Sequence, residues 1–263
     1  MATIERSGAD PRQLGRQGRA VSGSVGPVET LLLFADAPSA RTARWSRLAD
    51  DAHAQTLTAG FLQDLADTCG RWRAQQLGAD LNRRVALYVH QGREHPALAD
   101  AARRAGARVE VAEGADWATR LRNAFAAEHE RGARAVCAIG THAPSIPAHL
   151  LDEAFRALGW ERAVLGPAFD GATWLVGAQR PAPDVFSDAS WSAPQATVRT
   201  VARLRDLGAE PHVLPFWYAA TDDDGLARLA WHVASVRARQ PDALPATWRA
   251  LVDAGLVTEP HTP

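Results

Sequence analysis

The sequence predicts an α/β fold: a mostly parallel sheet flanked by helices, with a short antiparallel edge. Strand-length apolar runs alternate with longer segments of helical periodicity through most of the 263 residues. The connections between them are short, as in chains built from β-α-β units. Two apolar runs near 163–168 and 173–178 follow each other with no helix between them, so they are expected to pair antiparallel at one edge. No Gly-x-Gly-x-x-Gly follows the first strand, which argues against a standard dinucleotide fold.

The elements follow in order. Thr30–Phe34 is a continuous apolar run and reads as a strand buried on both faces. A long helical segment covers roughly 43–76, with a break expected near Thr56–Thr58. Val85–Val89 is the second strand, and Pro96–Ala105 a helix that begins on proline. Arg108–Val111 is a short strand. Trp117–Glu130 is amphipathic, with Leu121, Ala124, Phe125 and Glu128 at helical spacing. Ala135–Ile139 is a strand, followed by a Pro-bounded loop and a helix over about 148–158. After the paired strands, a helix covers about 194–207 and a strand 211–214. Helices near 223–239 and 245–254 follow.

Composition narrows the function classes. Hydrophobic residues make up 46% and charged residues 22%, ordinary for a globular chain. The formal net charge of −1 favours neither nucleic acid nor an anionic membrane. No apolar stretch approaches the ~20 residues that span a bilayer, and the N-terminus has no apolar signal core. A cytoplasmic location is expected. Cys137 lies in the apolar run 135–139, so a buried reduced thiol is expected rather than a disulfide with Cys69. Residues 1–27 are rich in Arg, Gly, Ser and Gln and read as a disordered leader. Residues 28–230 read as one domain and 231–263 as a helical appendage.

Chemistry concentrates in a few segments. Gly166-Pro-Ala-Phe-Asp-Gly-Ala-Thr-Trp-Leu-Val-Gly177 joins two buried runs through a turn that holds Asp170 at a sheet edge, near where α/β sheets bind ligands. The loop 34–48 leaves the first strand and enters a helix. Its Arg41, Arg44 and Arg47 suit a diphosphate, or they are solvated residues of a helix start. Asp116 is placed to cap the helix carrying Arg120. Thr141 and His142 follow the strand 135–139. Ser192 suits a helix N-cap with Pro194 in the first turn, and Trp191 either walls a pocket or packs in the core. The run Asp222-Asp223-Asp224 precedes a helix, where acidic charge is favoured. No His/Cys pattern supports zinc.

These segments resemble the signatures of DUF2064, a bacterial family of small GT-A-like (Rossmann-like) glycosyltransferases distantly related to the MobA-type and CofC-type nucleotidyltransferases. The resemblance covers roughly 29–230. It implies that Phe34, Ala35, Pro38 and the three arginines contact the nucleotide, and that Asp116 and Arg120 border the base or ribose. It implies that Gly171 and Trp191 lie at the acceptor, with Asp170 near the reacting centre as base. Thr141 and His142 stand in the family's Gly-Ser-Asp-Cys-Pro segment, with His142 in place of the metal-binding Asp. The family's second metal-binding segment aligns with Ala219 and Thr221. Asp36 stands where a basic residue is usual and would repel phosphate.

The implied activity is sugar transfer from a nucleotide diphosphate sugar to a small-molecule acceptor without the usual divalent metal. Hard cations that bridge phosphates want carboxylate oxygen, and His142 in its protonated form would stabilise the leaving diphosphate instead. Mg²⁺ or Mn²⁺ enters only if Asp222 contributes. A non-catalytic binding protein and a nucleotidyltransferase are the alternatives, and a homodimer is left open.

Overall fold

The computed structural model describes residues 26–38, 45, 51–75, 81–183, 186 and 195–258. All but the last two residues of the expected leader lie outside them.

Among the described residues seven strands form one sheet: β1 (Val28–Phe34), β2 (Asn82–Val89), β3 (Arg108–Val111), β4 (Ala133–Gly140), β5 (Ala163–Pro167), β6 (Thr173–Gln179) and β7 (His212–Val213). Their order across the sheet is β3-β2-β1-β4-β6-β5-β7. β1 pairs parallel with β2 and β4, β2 with β3, and β5 with β7. β6 is antiparallel to both β4 and β5. It lies inside β5 and β7 in the strand order, because β5 turns directly back through residues 168–172 to form it. Gly171 makes that reversal at φ +83°, a conformation that glycine adopts without steric cost.

Seven helices complete the described chain: α1 (Asp51–Ala74), α2 (Pro96–Ala105), α3 (Trp117–Glu130), α4 (Ala148–Ala157), α5 (Ala196–Asp206), α6 (Asp223–Arg237) and α7 (Pro245–Asp253). No break interrupts α1 at Thr56–Thr58. Both threonine hydroxyls bond back to the preceding turn, Thr56 to the Ala52 carbonyl and Thr58 to that of Gln55, so they stay within the helix. None of the helices is long and apolar enough to cross a membrane.

Strand residues alternate between two cores, which is why the strands read as unbroken apolar runs. Leu31, Leu33, Leu87, Cys137 and Ile139 pack with α1, α2 and α4. Leu32, Phe34, Tyr88, Val136 and Ala138 pack with α3 and α5. Both cysteines are buried as free thiols. A third cluster joins the outer side of α1, at Leu57 and Phe61, to Leu229 of α6 and to Trp248 and Leu251 of α7. Asp64, a buried acid on α1, fixes that junction by accepting the Ala246 and Thr247 amides at 3.2 and 2.7 Å. α6 runs without a break through residue 231.

The topology leaves a crevice between β1 and β4. β1 has its sequence successor β2 on one side and β4 on the other, so chain direction across the sheet reverses there. Loops leaving adjacent strands on either side of such a point diverge and open a ligand site at the carboxyl ends. Register aligns Phe34 with both Tyr88 and Gly140 at that edge. Antiparallel β6 brings its first residues, Thr173 and Trp174, to the same end.

Candidate functional site

A cavity of about 290 Å³ occupies the crevice. Its walls are the ends of β1 and β4, the loops that follow them, the start of β6 and the segment before α6.

One wall is aromatic. Phe34 and Tyr88 stack with ring centroids 5.3 Å apart, and Trp117 meets Phe34 edge-on at 4.9 Å. The Tyr88 hydroxyl donates to buried Glu128 at 2.9 Å, fixing the ring. Burial and the neighbouring Glu128 carboxylate push that hydroxyl well above the usual tyrosine range, so it stays protonated. Phe34 and Tyr88 are themselves buried, so the half-buried Trp117, backed by them, is the ring this wall offers to a planar ligand.

The loop after β1 contributes Phe34, Ala35 and Pro38 to the cavity lining. Asp36 has a different task from the repulsive one expected. Its carboxylate accepts the amides of His90 and Gln91 at 3.0 and 2.8 Å, and Ala37 donates to the Gln91 carbonyl at 3.1 Å. The acid stitches the β1 loop to the β2 loop. Arg41, Arg44 and Arg47 lie outside the described residues.

Thr141 and His142 line the cavity from the β4 loop. His142 is half-buried, and that burial lowers its imidazole below the ordinary value of 6.5. It is therefore neutral at pH 7 in the free protein, whereas the sequence reading called on its charged form. Across from it, the Ala220 amide donates to the His142 carbonyl at 2.7 Å. Ala219 and Thr221, on either side of Ala220, both line the cavity.

A second brace joins the same two segments. Ser145 and Tyr218 share a hydrogen bond of 2.6 Å, the Trp217 indole donates to Ser145 at 3.2 Å, and Tyr218 bonds His232 of α6. Nothing in the sequence spacing revealed this cluster, because its members are brought together by packing of α6.

Asp170 sits on the turn between β5 and β6. It accepts the Ala172 amide at 3.0 Å, and Thr221 donates to its second oxygen at 3.4 Å. The carboxylate is exposed and borders the cavity through Thr221, Ala172 and Thr173 rather than lining it. Gly171 supplies the turn and accepts the Thr197 amide. Trp191 and Ser192 lie outside the described residues.

Two expected contacts belong to the scaffold. Asp116 caps α3, accepting the Thr119 amide at 2.7 Å, and that amide holds its carboxyl below the usual carboxylate range. Arg120 donates to the Gly114 carbonyl at 3.0 Å and closes the loop before α3. Neither lines the cavity; Trp117 and Leu121 of the same helix do. The strand-end rule that found Phe34 and Thr141 also applies to Tyr88 and His90 at the end of β2, which the sequence reading passed over.

The donor set does not fit Mg²⁺ or Mn²⁺. Among the described lining residues Asp36 is the sole carboxylate, and it is occupied by two amides. Asp222 caps α6 through the Gly225 amide at 2.8 Å and does not line the cavity. Among the described residues no group of three or more His, Cys, Asp or Glu could hold a metal ion.

The family of uncharacterized proteins conserved in bacteria, DUF2064, matches residues 71–193. That match is a likeness of the middle of the chain to DUF2064. The DUF2064 stretch carries β2 through β6 and so both the β4 loop and the Asp170 turn. A structure from Desulfovibrio desulfuricans G20, of a protein inferred to be a nucleotide-diphospho-sugar transferase, shares the fold at TM-score 0.69 and 21% identity. The match covers 86% of this chain and 94% of that one. A cytidylyltransferase from Leptospira borgpetersenii is similar at TM-score 0.46 and 12% identity, covering 83% of this chain and 97% of that one. No curated protein matches the chain.

Proposed function

We propose that the protein transfers a sugar from a nucleotide diphosphate sugar to the hydroxyl of a small acceptor, without the usual divalent metal site. The observation that carries this reading is the composition of the crevice between β1 and β4. Trp117, backed by Phe34 and Tyr88, lies on one side, and His142, Ala219 and Thr221 line the cavity at positions where the family resemblance puts cation-holding carboxylates. The cavity volume suits a ligand of nucleoside size.

In this reading the base lies against Phe34, Tyr88 and Trp117. The diphosphate lies between the β1 loop and the β4 loop. Thr141 donates to it, and Arg41, three residues beyond the cavity-lining Pro38, supplies positive charge together with Arg44 and Arg47. His142 gains a proton as the diphosphate enters and stabilises it as it leaves. The acceptor oxygen bonds to the anomeric carbon, and its proton passes to Asp170. The bond from that carbon to the diphosphate breaks, and the nucleoside diphosphate departs with the electron pair.

Loss of carboxylates at both metal positions supports a second reading, a protein that binds the nucleotide without turnover. Incubation with UDP- and GDP-sugars and a panel of alcohols, in EDTA, separates the two. Glycosylated product and free nucleoside diphosphate in equal amounts are expected, with at least a ~100-fold loss in Asp170→Asn. Undiminished transfer by that variant would remove Asp170 from the mechanism. Nucleotide binding with no transfer to any acceptor would favour the second reading.

A further inference from the structure

Two phenylalanines lie open beside Asp170. Phe169 is 64% exposed and Phe216 57%. Their rings stack, with centroids 5.6 Å apart and planes 27° from parallel. Backbone pairing holds them in place: the Phe169 amide donates to the Trp217 carbonyl at 3.0 Å, and the Trp217 amide to the Pro167 carbonyl at 3.1 Å. The pair is therefore a preformed surface on the edge of the sheet. Phe169 adjoins Asp170, whose carboxylate reaches Thr221 in the cavity wall.

The size of this surface limits its occupant. Two phenylalanines exposed to this degree leave roughly 200–250 Å² of ring surface open to water. A stable protein interface needs about 800 Å² from each partner, so the pair alone is too small for one. It matches the footprint of a single ring-bearing molecule. Phenyl rings offer no hydrogen bonds. A hexose could lay its C–H face on them, but its several hydroxyls would need polar partners around the rim, whereas an aromatic ring needs none. One polar group, the Asp170 carboxylate, follows directly in the chain.

We propose that Phe169 and Phe216 form the acceptor subsite, and that the acceptor is a small aromatic alcohol or phenol. Its ring stacks on the phenylalanines and its hydroxyl points to Asp170. This rests on the sugar-transfer reading for its place in the reaction, though the subsite itself binds independently of turnover.

The test uses full-length protein, 4-nitrophenol and 2-phenylethanol as aromatic probes, and methyl glucoside as the sugar probe. Ligand-observed NMR and calorimetry measure probe and UDP binding to wild type, Phe169→Ala, Phe216→Ala and the double variant. Aromatic probes should bind wild type and weaken roughly tenfold in each single variant, the scale of one lost aromatic contact. UDP affinity should stay within about twofold, because neither ring lines the cavity. Aromatic binding without UDP binding would keep the subsite, and the same result with GDP would refute the sugar-transfer reading. UDP binding with no aromatic binding, or with unchanged affinity in the double variant, would overturn the subsite. Preference for methyl glucoside would overturn the aromatic assignment, and a dimer dissolved by the double variant would show that a second copy covers the pair.

Discussion

The backbone amide of Ala220 donates to the carbonyl of His142 at 2.7 Å. This bond ties the loop after β4 to the segment before α6, two stretches far apart in sequence. It sets residues 142, 219 and 221 around one end of the cavity. Ala219 and Thr221 thus face the cavity beside His142, while Asp222 caps α6.

Placing carboxylates at these positions should therefore create a cation site. His142→Asp with Thr221→Asp supplies two hard oxygen donors at one end of the cavity. The double variant should bind Mn²⁺ at least roughly tenfold more tightly than either single variant, measured by calorimetry or by the manganese EPR signal. Equal binding in all forms would show that the two side chains do not converge.

His142 should couple nucleotide binding to pH. Burial holds its pKa below 6.5 in the free protein, and a bound diphosphate must raise it. A group whose pKa rises on binding takes up a proton, so affinity grows as pH falls between the bound and free values. Titration with an NDP-sugar, whose diphosphate does not itself titrate in this range, should give tighter binding at pH 5.5 than at pH 7.5. His142→Gln should flatten the profile. A flat profile in wild type would mean that the imidazole does not meet the diphosphate.

Gly166 and Gly177, at the two ends of the 166–177 segment, are there for space. A Cβ on Gly166 would run into the indole of Trp174, which lines the cavity, and one on Gly177 would lie 2.6 Å from both Cys137 Sγ and Val164 Cγ1. Gly166→Ala should cost about 1–3 kcal/mol in urea unfolding and should also weaken nucleotide binding by displacing the indole. Gly177→Ala should cost a similar amount with little effect on the ligand. Wild-type stability in both would contradict the close packing.

Much of this was legible in the sequence. Helix α3 and its Asp116 cap follow from a capping residue before an amphipathic run, and the β5–β6 reversal from Asp170-Gly171 between apolar runs. The placement of Phe34, Pro38, Thr141 and His142 at one crevice follows from the strand-end rule. Other features depend on which distant segments meet. Asp36 reads as a lone charge until the β2 loop supplies its two amides. Arg120 reads as a neighbour of the base or ribose until its Nε is seen to donate to the Gly114 carbonyl. Ser145, Tyr218 and His232 carry no local pattern at all, since they come from the β4 loop, the segment before α6 and α6 itself.

Asp64 is another such long-range contact. It accepts both amides at the start of α7 from inside the α1 interface. Asp64→Ala would leave those amides without an acceptor and should cost about 2–3 kcal/mol, with proteolysis exposing the α7 segment first. Burial raises the carboxyl above the usual carboxylate range, so the folded state disfavours its ionisation. Its contribution is therefore greatest below the ordinary carboxylate value and declines as pH rises through the folded-state value. Asp64→Asn should lose that pH dependence while retaining an acceptor for one amide. Unchanged stability in Asp64→Ala would show that α7 is held by apolar contacts alone.

The most direct measurement is calorimetric titration of the full-length protein with UDP, GDP and their sugar conjugates, once in EDTA and once in Mn²⁺. Binding of at least one nucleotide, with equal affinity in both conditions and lost when Trp117→Ala removes part of the aromatic wall, is the expected result. Binding that appears only with Mn²⁺ would contradict it.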